Sequence, residues 1–118
     1  PDGDLLTVND KALPACRIAL VATNRGVLVP DPALFPPESV ASLPGAGAGP
    51  VDAEGLAVDD AGRIYLATEA RRWILRHDPR SGTVERLPID WSPAARWFSA
   101  RDGNASFEGV AVGGGNLY

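Results

Sequence analysis

Apolar and polar residues alternate along this chain in short runs, and nearly every run ends at Gly, Pro or Asp. In "RRWILRHD" (71–78), Trp73 and Leu75 point one way while Arg72, Ile74 and Arg76 point the other, the period-2 pattern of a strand. "TVERLPI" (83–89) alternates in the same way, and Pro88 marks it as an edge strand. "GLAV" (55–58) and "RIYLAT" (63–68) flank "DDAG" and read as a hairpin. "PRSG" (79–82) supplies the next turn. Strands are expected near 4–9, 16–22, 55–58, 63–68, 71–77, 83–88 and 109–112. No segment sustains the i, i+3, i+4, i+7 spacing of a helix. One helical turn is expected in "SPAARWFSA" (92–100), with Ser92 as cap and Pro93 at the first position.

The pattern repeats. "EGLAV" at 54–58 returns as "EGVAV" at 108–112, each time followed by a glycine-bearing turn and then an aliphatic residue and Tyr. "LLTVND" (5–10) lies over "IYLATE" (64–69), and "CRIALVATNRGVLVP" (16–30) over the two strands that follow. Offsets of 54 and 59 residues suit a unit of four antiparallel strands, the blade of a β-propeller. The fold class expected is therefore all-β: about two blades of a probable six-bladed ring. Residues 1–30 form an incomplete blade, 31–53 a linker loop, 54–89 a complete blade, 90–106 a connecting loop, and 107–118 the start of the next blade. Gly55, Ala57, Gly109 and Ala111 suit an inner strand that neighbouring backbones approach closely. "PGAGAGP" (44–50) reads as a flexible lip. Two blades cannot close a ring, so the rest of the propeller is expected from a longer chain or from other copies of this one.

Composition narrows the partners. The chain has 118 residues, 45% hydrophobic and 22% charged, with 13 Gly and 11 Pro, the profile of one turn-rich globular domain. A net charge of −4 without a basic stripe argues against nucleic acid. No apolar run reaches the ~18 residues of a membrane span. Cys16 is the only cysteine and is expected to pack as a small apolar residue. The chain starts without Met and shows no signal peptide, and reads as a processed or excised piece.

The phrase "DAEGLAVDDAGRIYLATE…RRWILRHDPRSGTVERLPI" with "NASFEGVAVGGGNLY" resembles the phytase-like family, described as esterase-like activity of phytase. The resemblance covers residues 50–118 well, and the first 50 as a degenerate blade. It implies a six-bladed bacterial propeller, periplasmic or secreted, with hydrolase activity on phosphate or carboxylic esters. A more distant likeness is to calcium-bound lactonase propellers, where a Glu before Gly on an inner strand ligates the metal.

The residues themselves offer an acidic cluster. Glu54 and Glu108 precede inner strands, while Glu69 and Asp10 end second strands. Antiparallel pairing sets the start of one strand beside the end of the next, so all four acids gather at one face. Asp52 and Asn104 lie on the loops just before. Oxygen donors from several strands are what Ca²⁺ takes, and a bound cation can polarise an ester or activate water. The competing reading is that Glu54 and Glu108 accept backbone hydrogen bonds and lock blade to blade. Both readings stand at this level, and Lys11 or Arg101 could neutralise the cluster instead.

Other chemistry is sparse. His77, the only histidine, is expected on a solvated surface turn. Neither a Ser or Cys triad nor a zinc site finds its residues. Trp91, Trp97 and Phe98 are expected to plug the ring. Arg71, Arg72 and Arg76 are expected on a solvated blade face. Three function classes remain: a metal-assisted ester or phosphoester hydrolase acting on a small molecule, a non-catalytic ligand-binding propeller, and a protein-binding scaffold.

Overall fold

The computed structural model describes residues 5–10, 12–49, 51–97 and 107–118, with the backbone alone at 12–14. Among them lie three antiparallel sheets. The first holds β1 (Leu5–Asn9), β2 (Ala12–Ala22) and β3 (Arg25–Pro30), in that order. The second is the meander β4 (Ala53–Val58), β5 (Ile64–Thr68), β6 (Trp73–Asp78) and β7 (Thr83–Arg86). The third is the short hairpin β8 (Val112–Gly113) and β9 (Asn116–Leu117). Helix among the described residues is confined to α1 (Pro37–Ala41) and a 3₁₀ segment at Ser92–Trp97. The chain is all-β and built of propeller-type blades, as its alternation predicts.

The central sheet explains why both sides of its strands are apolar. Leu66 and Leu75 are fully buried against Phe35, Leu34 and Ala15 on one face. Tyr65, Ala67 and Ile74 pack on the other face against Trp91, Phe107, Val110 and Leu117. All five residues of β5 are buried. A sheet covered on both faces carries apolar residues at successive positions rather than alternate ones. The turns are those expected: Gly62 and Gly82 take φ of +80° and +72°, conformations that suit glycine.

Several expectations need correction. The strand expected at 109–112 is cut to β8, although Ala111 and Tyr118 still exchange backbone hydrogen bonds of 2.8 Å. "GVAVGGG" has few side chains to pack, and a two-stranded hairpin is marginal by itself. The 31–53 connection contains α1, with Val40 buried, because Pro37 suits the first helical turn. Of the 44–50 lip, the described residues 44–49 are tied down: Ala46 is 5% exposed, and Gly45 lies against the Trp73 ring. Arg71 donates to the Gly49 carbonyl at 3.2 Å. Arg71 and Arg86 also lie over the Trp73 ring, 5.6 and 4.8 Å from its centre. Half-buried Arg76 bonds Glu85 at 2.6 Å. These arginines therefore fasten the blade rather than lie on a freely solvated face. Trp91 packs on Phe107 with ring centres 4.4 Å apart, but Trp97 is 67% exposed, with Arg96 over its ring. Phe98 lies outside the described residues.

The largest correction is His77. It is 2% exposed and packs against Phe35, with ring centres 5.5 Å apart. The neighbouring Arg76 and Asp78 suggest a polar surface, but His77 shares its face of β6 with Trp73 and Leu75, toward the first sheet.

Candidate metal centre

The candidate site forms where β4 begins and β5 ends. Asp52 enters β4 with φ of +55°, a left-handed backbone that Asp tolerates better than most side chains. Its carbonyl accepts the Glu69 N–H at 2.9 Å, which fixes the end of β5 to the start of β4. The Ala53 N–H donates to the Asp10 carbonyl at 3.2 Å, bringing the end of β1 to the same point. The register then slips. Ala53 faces Thr68 and Gly55 faces Ala67, leaving Glu54 without a partner across the ladder. This is a β-bulge, which turns a side chain away from its ordinary direction.

The consequence is a compact set of carboxylates. Oxygens of Asp52, Glu54 and Glu69 lie within 4.8 Å of one another. Asp52 is 7% exposed, Glu69 is 5% exposed, and Glu54 is half-buried. The Glu54 carboxyl is pushed above its ordinary 4.5, first by burial and then by the charges of Glu69, Asp52, Glu108 and Asp10. Like charges and desolvation both favour the protonated form. Five of the six residues proposed from sequence are thus within electrostatic reach of one centre. Asp52, Glu54 and Glu69 form its core, while Asp10 and Glu108 are exposed at its edge. Asn104 lies outside the described residues, as do Lys11 and Arg101.

The donor set fits a hard cation. Ligand oxygens at Ca²⁺ distances of about 2.3–2.6 Å can be at most roughly 5 Å apart across the ion, and the three carboxylates meet that limit. No sulfur or imidazole belongs to the group, which disfavours zinc. His77 stands at the far end of β6, paired with Ile64, while Glu69 follows the opposite end of β5.

A second polar arrangement escaped the sequence reading. The Asp59 carboxylate accepts from the Ala61 N–H at 3.0 Å, from the Arg63 N–H at 2.9 Å and Nε at 2.6 Å, and from the Tyr65 hydroxyl at 3.0 Å. It closes the β4–β5 turn at the end away from the acids. The spacing D-x-x-x-R-x-Y was the available signal, since Arg and Tyr two apart on a strand share one face.

The glycines of the repeated phrase meet at the next blade. A Cβ on Gly55 would stand 2.8 Å from Gly109 Cα, so the two Glu-Gly motifs adjoin backbone to backbone. Among the described residues no helix is long and apolar enough to cross a membrane. No curated protein and no solved structure matches the chain. The phytase-like family model, described as esterase-like activity of phytase, matches residues 1–118. That match spans the first 50 residues as well as the rest, and with the repeated Glu-Gly strands it establishes that the chain belongs to the phytase-like family.

Proposed function

We propose that this chain is part of an exported bacterial propeller, periplasmic or secreted, that hydrolyses phosphate or carboxylic esters with the help of Ca²⁺. The observation that carries the reading is the convergence of Asp52, Glu54 and Glu69 within 4.8 Å. These three side chains would hold the ion, with Asp10 and Glu108 adding negative charge at the rim. A bound cation supplies Lewis-acid polarisation of a phosphoryl or carbonyl oxygen and a more acidic water. The Glu69 N–H to Asp52 carbonyl bond holds the two strands together at the site through the backbone. Acceptance of backbone hydrogen bonds by Glu54 and Glu108, the competing reading, is compatible with such a metal site.

The test is thermal unfolding of the chain with Ca²⁺ and then with chelator, together with release of p-nitrophenol from its phosphate and butyrate esters. Saturation at a hundred times the dissociation constant adds about 2.7 kcal/mol, a rise of roughly 10 °C for a domain of this size. Wild type should show the rise, and Glu54→Gln and Asp52→Asn should lose most of it. Equal midpoints with Ca²⁺ and chelator would remove the metal reading.

A second reading, a non-catalytic scaffold that binds a ligand or protein, is favoured by the position of His77. Its burial at the other end of the blade keeps the only imidazole away from the carboxylates. Calcium binding without ester hydrolysis would select this reading. We also propose that further blades, from a longer chain or from other copies, cover the first sheet. On one of its faces Leu5, Leu20 and Leu28 are 53%, 63% and 62% exposed, more apolar surface than a finished sheet leaves open.

A further inference from the structure

His77 has one feature that the proposed chemistry does not use. Its Nδ1 is enclosed and has no hydrogen-bond partner among the described residues. The ring sits between the first two sheets, against Phe35, which is itself 0% exposed with φ of +50°. Phe35 is presented by a turn built on Asp31. The Asp31 carboxylate accepts the Ala33 N–H at 3.0 Å and is paired with Arg17 of β2. The Asp31 N–H donates to the Ala15 carbonyl, and the Leu34 N–H to the Asp31 carbonyl, both at 3.0 Å. The segment 31–35 is therefore a clasp: one end is fixed to the first sheet, and the other inserts a ring against the second.

We propose that His77 is a pH-operated latch for this clasp. Neutral imidazole tolerates the site, with the proton on Nε2 and a bare lone pair on Nδ1. Protonation places an N–H and a positive charge where none of the described residues offers an acceptor, which is costly in an apolar enclosure. Among the described residues, the charged groups that act on it are Asp78 and Asp31. Asp78 comes from its own strand, and Asp31 from the clasp with Arg17 bound to it. The flanking strands face it with Ile64 and Val84, neither of them charged. Burial, the largest influence, holds the imidazole below its ordinary 6.5, against the opposing pull of Asp78 and Asp31. A cleft of about 620 Å³ whose lining includes Leu6, Arg17, Leu34, Asp59, Asp60 and Arg80 adjoins the clasp.

The sign follows from linkage. The unfolded or opened chain binds a proton below about pH 6.5, and the closed latch resists it. Stability of the closed form is therefore complete above that value and is lost as pH falls toward the lower folded value. The only histidine gives a single imidazole signal by NMR. Its titration in the wild type should have a midpoint below 6.5. Between pH 7.5 and 5.5, corrected for intrinsic exchange, the Asp31 and Leu34 amides should lose protection by up to about tenfold per pH unit, the limit for one proton. Amides of Leu66 and Leu75 should hold. His77→Phe keeps a ring against Phe35 and should make protection at 31 and 34 independent of pH. A midpoint at or above 6.5 overturns the latch. So does flat protection in the wild type, or an unchanged pH dependence in His77→Phe.

Discussion

Replacing Gly55 by Ala tests the contact between the blades most directly. A methyl group there would sit 2.8 Å from Gly109 Cα, 3.1 Å from Val110 N and 3.3 Å from Gly109 C. All three are backbone atoms, so no side chain can rotate away. Reaching the carbon–carbon optimum of about 3.5 Å requires the two strands to part by roughly 0.7 Å. Overpacking of this kind costs about 1–3 kcal/mol, offset by about 0.4–1 kcal/mol from the stiffer unfolded chain. The net loss of roughly 1–2 kcal/mol lowers the midpoint by roughly 3–8 °C in a domain of this length. Gly109→Ala is the control, because a Cβ there meets nothing within 4 Å. It should leave the midpoint unchanged or slightly raised. Differential scanning calorimetry of the three proteins decides the matter. A Gly55→Ala midpoint at or above wild type would refute the reasoning, as would an equal loss in Gly109→Ala, since the contact is one-sided in Cβ terms.

Two further outcomes follow from the carboxylates. Glu54 holds its proton more tightly in the fold than its ordinary 4.5, so it stabilises below that value and loses the contribution as pH rises through the folded one. In chelator, urea midpoints between pH 4 and 7 should therefore decline on account of Glu54, and Glu54→Gln should remove that component. The His77→Phe background separates it from the latch, whose effect has the opposite sign. Asp59 is the converse. Burial pushes its carboxyl up, but bonds from the Arg63 backbone and side chain and from Tyr65 bring it below 3.8. Asp59→Asn turns an amide N–H₂ or a neutral oxygen toward those donors and should cost about 1–3 kcal/mol at pH 7. The difference from wild type should shrink as pH falls through the folded Asp59 value, and an undiminished difference there would mean that charge is not the cause.

Much of this architecture is legible in the residues because strand chemistry is local. Period-2 alternation in 71–78 and 83–86 locates β6 and β7, and "DDAG" and "PRSG" locate the turns between β4 and β5 and between β6 and β7. The acidic centre is legible for a related reason. Once 53–58 and 64–68 are a hairpin, antiparallel pairing must bring Asp52 and Glu54 beside Glu69, whatever the rest of the chain does. The self-alignment likewise places Asp10 at the end of β1, and the structure brings it to β4.

What tertiary structure alone decided concerns faces, not strands. His77 lies between Arg76 and Asp78, and nothing in "RHDP" says that a second sheet will cover its side of β6. The bulge that frees Glu54 is a one-residue slip set by how β4 meets β5 and β1, and Gly-rich sequence leaves such slips open. Gly45 looks unanchored because its anchor, Trp73 with Arg71 and Arg86 over its ring, is more than twenty positions away in sequence. Sequence fixes period, turns and neighbours along a hairpin, all governed by contacts a few residues apart. Which surface is buried depends on the packing of one blade against another, and that is a property of distant segments brought together only in the folded chain.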